Sequence, residues 1–168
     1  MNMLSQKISY TEIAEAKRMF EVCRTVVIVS HVSADGDAIG SSLGMYEYLK
    51  KKGKQVTVIM PNYYPDFLKW MTDADRIILY DRHRAMAKTY ITAADLIVVL
   101  DLNEPSRLEE LATPITISRA KKILIDHHLH PQKFCDLTIS YPNASSTSEL
   151  VFRVIDAIGG VSALTKAG

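Results

Sequence analysis

Carboxylates and imidazoles cluster directly behind three strand-like runs of the sequence. They are His31, Asp35 and Asp37 behind the first run, Asp101 behind a later one, and Asp126, His127 and His128 behind the last. Carboxylates held close together repel one another and so raise one another's pKa, and a divalent cation among them offsets this repulsion. Carboxylate oxygen mixed with imidazole nitrogen, without thiolate, favours manganese or a similar divalent ion over structural zinc. The predicted metal ligands are His31, Asp35, Asp37, Asp101 and His127.

Five ligands are more than one catalytic ion with open positions needs, so the pattern favours two ions. Asp101 stands alone behind its run and is the natural carboxylate to bridge them. Asp126 and His128 are expected next to the ligands or in contact with a substrate.

Each of these residues also has an ordinary alternative role. Asp35 and Asp37 precede a helical pattern, where Asp is a common N-cap. Asp101 could be a loop residue at a strand end, and a histidine pair after a strand is often structural. The hydroxyls of 145–148 would cap the last helix, although they could also reach a phosphate. A shared site is favoured because three unrelated groups of polar residues would otherwise have to lie at one edge of the sheet by chance.

Strand-like and helix-like runs alternate along the chain, which predicts a Rossmann-like α/β fold. In such a sheet, ligands bind beyond the carboxyl ends of the strands, where all the residues above are expected. About five parallel strands are predicted, with helices on both faces. The strands are Thr25–Ser30, Gln55–Met60, Arg76–Tyr80, Asp95–Leu100 and Lys122–Ile125, with a possible short edge strand at Leu137–Ser140. Helices are expected over Ser9–Cys23, from Ala38 to Gly53, before Ala94 and over Ser146–Ile158, and the segment Ala112–Ser118 has no clear pattern.

Composition is typical of one globular domain. The chain has 168 residues, 48% of them hydrophobic and 23% charged, and a net charge of +1. That balance argues against a broad cationic face for a long duplex. No apolar run could span a membrane, no signal peptide precedes the first helix, and the two cysteines are isolated, so no membrane partner and a cytoplasmic location are expected. GxGxxG, Walker and GxSxG patterns are missing, which argues against dinucleotide-binding, P-loop and serine-hydrolase sites.

The motif combination resembles a known family. His31-x-x-x-Asp35-x-Asp37-Ala-Ile-Gly-Ser, Asp101-Leu-Asn-x-x-x-Arg107 and Asp126-His127-His128 resemble the first three motifs of the DHH phosphoesterase superfamily. The segment 146–150 is similar to the one after the DHH motif in the branch of bifunctional oligoribonucleases and phosphoadenosine-phosphate phosphatases. The resemblance runs from about Val26 to Ile158.

This resemblance implies a role for each motif residue. His31 and Asp35 would bind one manganese ion, Asp37 and His127 a second, and Asp101 both. His128 would lie beside the scissile phosphate, with Asp126 orienting an imidazole. Arg107 matches a family arginine near the substrate. Asn103, Ser146 and Thr147 are further predicted substrate contacts.

The resemblance also implies an activity, which is hydrolysis of a phosphoester by water activated between two divalent ions. The expected substrates are short single-stranded RNA, 3′-phosphoadenosine 5′-phosphate or cyclic dinucleotides, and a homodimer is possible. An inorganic pyrophosphatase of the DHH type, a RecJ-like exonuclease and a non-catalytic nucleotide-binding module stay open as alternatives. Family members continue into a further metal-binding Asp and a smaller substrate-binding domain, so residues 1–168 are expected to be a C-terminally truncated catalytic domain.

Overall fold

A computed structural model describes residues 8–164 as one six-stranded sheet covered on both faces by helices. The strands are β1 Thr25–Val29, β2 Gln55–Met60, β3 Ile78–Leu79, β4 Leu96–Leu100, β5 Lys121–Asp126 and β6 Leu137–Ser140. The α-helices are α1 Tyr10–Val22, α2 Gly36–Lys51, α3 Arg84–Ala93, α4 Ala112–Ile117 and α5 Thr147–Ala157. The predicted α/β class with helices on both faces is confirmed.

All strands are parallel, in the order β3-β2-β1-β4-β5-β6. The chain builds outward from β1 to β3, then returns to place β4 on the other side of β1. The direction of winding therefore reverses between β1 and β4. At such a point the loops after the two strands diverge and leave a crevice at the carboxyl ends.

Two apolar layers hold the sheet between its helices. Val26, Ile28 and Val98 pack with α1, α2 and α5 on one face, whereas Val27 and Val99 pack with α3 and α4 on the other. Every residue of β4 is buried, which explains its unbroken apolar sequence. Among residues 8–164, no helix is both long and apolar enough to cross a membrane.

The strand count differs from the prediction, because the sheet has six strands rather than about five. The additional strand is β6, whose short run pairs in parallel with β5 at the sheet edge. The run predicted as a strand at Arg76–Tyr80 contributes only Ile78 and Leu79, because a 3-10 turn occupies Ala74–Arg76. The unassigned segment Ala112–Ser118 forms α4 up to Ile117.

Two carboxylates join neighbouring strands at the amino-terminal edge of the sheet, opposite the crevice. Asp95, just before β4, accepts the backbone N–H groups of Thr25 at 3.0 Å and Arg24 at 2.8 Å, at the start of β1. Asp136, just before β6, accepts the N–H of Lys122 in β5 at 2.8 Å. The backbone N–H groups of Thr25 and Arg24 hold the pKa of Asp95 below its ordinary value.

Asp95→Ala should lower the free energy of unfolding by about 1 kcal/mol at pH 7, because two charge-assisted hydrogen bonds are lost near solvent. The pKa of Asp95 is lower in the folded chain, so its stabilisation is complete above the unfolded pKa of about 4 and is lost as pH falls through the folded value. Urea unfolding at pH 7 and below pH 4 measures this difference. The matched control is Asp81→Ala, at an exposed carboxylate. If Asp95→Ala lowered the free energy of unfolding equally at both pH values, the stabilisation would not come from the ionised Asp95 carboxylate.

Candidate metal centre

The loop after β1 presents His31 through a fixed imidazole. His31 Nδ1 donates to the Val32 carbonyl at 2.8 Å, so Nε2 carries the free lone pair. The loop itself is fastened from two sides. The Val32 N–H donates to the Arg107 carbonyl at 2.8 Å, and the N–H of Ser33, a left-handed residue with φ 53°, donates to Asn62 Oδ1 at 2.8 Å.

Asp35 has the capping role that its position suggests, and it also lies beside His31. Its Oδ1 accepts the N–H groups of Asp37 and Ala38, each at 3.0 Å, at the start of α2. The same Oδ1 is 4.0 Å from His31 Nε2. Two amide donors fill the lone pairs of Oδ1, which leaves Oδ2 as the oxygen able to bind an ion.

Asp101 lies at the centre of the site. It follows β4 in the left-handed region (φ 60°) and is only 2% exposed. Its Oδ2 is 3.4 Å from His31 Nε2, whereas its Oδ1 is 3.7 Å from His127 Nε2 and 3.8 Å from His128 Nδ1. The two oxygens of one carboxylate therefore face residues from different strands.

The second histidine group joins β5 to the start of α5. His127 Nδ1 makes a long 3.4 Å hydrogen bond to the Ala144 carbonyl, and its Nε2 is 3.7 Å from Asp37 Oδ2. Asp37 in turn accepts from the first turn of α5. Its Oδ2 takes the Thr147 N–H at 2.8 Å, and its Oδ1 takes the Ser148 N–H at 2.8 Å and the Ser148 hydroxyl at 2.6 Å. Only Oδ2 keeps a lone pair for an ion.

His128 differs from the other two histidines in its partners. Its Nδ1 donates to Asp126 Oδ1 at 2.6 Å, and its Nε2 accepts from Arg107 Nη1 at 3.1 Å. Asp126 is fully buried at the end of β5 and also accepts the backbone N–H of His128 at 3.1 Å. The imidazole is thus fixed between a carboxylate and a guanidinium at the edge of the crevice.

The donor atoms fall into two groups that share Asp101. One contains His31, Asp35 and Asp101 and the other Asp101, His127 and His128, and in each group the atoms lie within 4.8 Å of one another. Because His128 Nδ1 donates to Asp126, the Asp37 carboxylate, 3.7 Å from His127, is the better third ligand of the second group. Burial alone lowers the pKa of His31, but the nearby Asp101 carboxylate and the Val32 carbonyl outweigh burial and raise it. Burial alone raises the pKa of Asp101, but His31 and the Thr147 hydroxyl outweigh it and lower the pKa. Imidazole and carboxylate donors in this arrangement fit divalent cations.

The residues predicted as substrate contacts divide in the structure. Arg107 lies at the crevice, against His128. Asn103 instead fastens the loop after β5, since its side chain donates to the Leu129 carbonyl at 3.0 Å. The Ser146 hydroxyl caps α5 by accepting the Glu149 N–H at 3.0 Å. Thr147 is fully buried and its hydroxyl donates to Asp101 Oδ1 at 2.9 Å, so it contacts a carboxylate rather than open space.

Sequence reasoning missed the contacts that orient the predicted ligands. The hydrogen bonds from Thr147 and Ser148 to Asp37 span more than a hundred residues. The Asn62 contact with the β1 loop likewise lies outside every motif. The only available signal was the run of hydroxyl residues at the start of α5, and local capping explains that run equally well.

The sequence of this chain is similar to one protein family and to several characterised phosphoesterases. Residues 25–167 match the DHH family, N-terminal domain. The bifunctional oligoribonuclease and PAP phosphatase NrnA of Thermus thermophilus is 31% identical over 137 residues, or 80% of this chain and 37% of that protein. The cyclic-di-AMP phosphodiesterase GdpP of Geobacillus thermodenitrificans is 28% identical, over 78% of this chain and 21% of that protein.

A solved structure agrees with the sequence comparison. The crystal structure of an exopolyphosphatase-related protein from Bacteroides fragilis superimposes with a TM-score of 0.95 at 49% identity, over 98% of this chain and 48% of that one. The chain thus spans less than half the length of each of these three relatives. The resemblance predicted from the motifs is confirmed, and the chain belongs to the DHH family, whose N-terminal domain it matches over most of its length.

Proposed function

We propose that this chain is the catalytic domain of a manganese-dependent phosphoesterase that acts on small nucleotides. The observation that carries the proposal is the Asp101 carboxylate, whose two oxygens face two histidine-containing groups. A carboxylate shared in this way is what a two-ion phosphoryl site requires.

The ligand sets follow from the free lone pairs. His31 Nε2, Asp35 Oδ2 and one oxygen of Asp101 would hold one ion. His127 Nε2, Asp37 Oδ2 and the other Asp101 oxygen would hold a second. Divalent ions bound there supply the charge that lowers the pKa of water and stabilises negative phosphoryl oxygens.

His128 and Arg107 are suited to work on the phosphate and its leaving group. Arg107 is a cation with a planar donor fork, which matches phosphate oxygens. When Arg107 turns from His128 to a phosphate, His128 Nε2 is free to hold a proton for the leaving oxygen. The 2.6 Å hydrogen bond from Nδ1 to Asp126 holds the ring in place for this transfer.

The substrate class is proposed from the relatives and from charge. One relative is named as an oligoribonuclease and PAP phosphatase, and another as a cyclic-di-AMP phosphodiesterase. The net charge of +1 suits a short substrate better than a long duplex. We therefore propose short oligoribonucleotides, 3′-phosphoadenosine 5′-phosphate or cyclic dinucleotides.

The test is hydrolysis by the full-length protein with Mn²⁺, using an RNA dinucleotide, 3′-phosphoadenosine 5′-phosphate, cyclic-di-AMP, pyrophosphate and polyphosphate. At least one nucleotide should be hydrolysed faster than both inorganic substrates, and EDTA should abolish turnover. Faster pyrophosphate or polyphosphate hydrolysis would contradict the substrate class. No turnover of any substrate would favour a non-catalytic nucleotide-binding module.

Asp101→Asn should lower kcat by at least about 100-fold, because a shared ligand loses its charge. The fold should survive, since Asn also adopts left-handed backbone and keeps an oxygen for the Thr147 hydroxyl. Steady-state hydrolysis and thermal unfolding measure the two effects. Asp156→Asn, at an exposed carboxylate on α5, is the control. If Asp101→Asn kept a tenth of the activity, Asp101 would not be the shared ligand.

Arg107→Ala should lower kcat/KM by about 10- to 100-fold, the effect of losing a charged hydrogen bond to phosphate. Arg107→Lys should recover only part of this, because a lysine lacks the planar fork. Unchanged kcat/KM in Arg107→Ala would remove Arg107 from the proposed substrate contacts.

A further inference from the structure

Thr147 connects two of the carboxylates in the metal centre. Its hydroxyl donates to Asp101 Oδ1 at 2.9 Å, and its backbone N–H donates to Asp37 Oδ2 at 2.8 Å. The residue is fully buried at the first position of α5. It comes from a part of the chain that supplies none of the proposed metal ligands.

We propose that Thr147 is a positioning residue, whose hydroxyl holds the Asp101 carboxylate in the orientation that lets it serve both ions. This inference rests on the proposed function. It assigns Thr147 a role in orienting a ligand rather than in contacting substrate.

The terminal torsion of an aspartate side chain is broad, so the carboxylate plane needs a partner to fix it. Oδ2 has His31 Nε2 at 3.4 Å, whereas the histidines near Oδ1 are more distant, at 3.7 and 3.8 Å. The Thr147 hydroxyl is the hydrogen-bond donor that holds Oδ1 on the His127 side. Thr147 can do this rigidly because β-branching restricts its χ1 torsion and α5 fixes its backbone.

The consequence is unequal for the two ions. Without the hydroxyl, Asp101 can rotate to favour His31 and keep the ion held by His31 and Asp35. The ion between Asp37 and His127 would lose the oxygen that faces it. Removing the hydroxyl should therefore lower the affinity for one ion only. A merely structural role would instead change the stability of the fold and leave the affinities for both ions unchanged.

The experiment is calorimetric titration of the chain with Mn²⁺, with thermal unfolding of the metal-free protein measured in parallel. The variants are Thr147→Val, which keeps the shape and removes the hydroxyl, and Thr147→Ser, which keeps the hydroxyl. Ser42→Ala is the matched control, since Ser42 is buried and its hydroxyl donates only to the Ala38 carbonyl, at 2.7 Å.

Thr147→Val should weaken one of two Mn²⁺ sites by about 10- to 100-fold, the usual effect of losing a partner that orients a metal ligand. Thr147→Ser should stay within about threefold of the unmodified chain, and Ser42→Ala should leave both affinities unchanged. The weakening should be absent when Thr147→Val is added to His127→Ala, because the affected ion is already compromised.

Equal affinities in Thr147→Val and the unmodified chain, or equal weakening of both sites, would overturn the inference. If Thr147→Val does not fold, Thr147→Ser decides, since weakening of one site despite the retained hydroxyl would overturn it. An unmodified chain that binds no Mn²⁺ would refute the proposed function itself, a result distinguishable from loss confined to the variant.

Discussion

A carboxylate with almost no access to solvent needs donors around it, because leaving a buried charge unpaired costs several kcal/mol. Asp101 meets this condition at the end of the central strand β4, where it is 2% exposed. Its neighbours come from three distant segments, namely His31 after β1, His127 after β5 and Thr147 at the start of α5. The strand order places β1 and β5 on the two sides of β4, so the sheet topology delivers one histidine to each oxygen.

The two edges of the sheet have different energetic roles. At the amino-terminal edge, Asp95 and Asp136 accept backbone N–H groups of neighbouring strands, and both have lowered pKa values. At the carboxyl edge, Ser33, Asp101 and His130 adopt left-handed backbone, which costs free energy for residues other than glycine. The apolar layers and the amino-terminal edge thus stabilise a fold whose other edge is strained and crowded with like charges.

The sequence could predict the sheet and the residues at its carboxyl edge because both depend on local patterns. The apolar run of β4 and the cap at Ser9 are local signals, and each element formed as expected. The short strand β6 has weak local signals because only Ile139 is buried, and its pairing with β5 depends on tertiary packing. The contact of Thr147 with Asp101 could not be predicted for a similar reason. A hydroxyl at a helix start has a sufficient local explanation, and nothing nearby in sequence indicates a second acceptor.

The hydrogen-bond partners of the three histidines support different chemistry for otherwise identical side chains. Each uses Nδ1 as the donor, but His31 and His127 donate to neutral carbonyls, whereas His128 donates to the Asp126 carboxylate. A carbonyl partner on Nδ1 fixes the tautomer and the ring orientation, so that Nε2 is the nitrogen available to a cation. A carboxylate partner holds its imidazole through a charge-assisted hydrogen bond, which suits the proton-transfer role proposed for His128. The difference follows from position in the chain, because Asp126 is the last residue of β5 and His128, two residues later, lies within hydrogen-bond distance of its carboxylate. The different roles proposed for these imidazoles therefore depend on where each one leaves the strand.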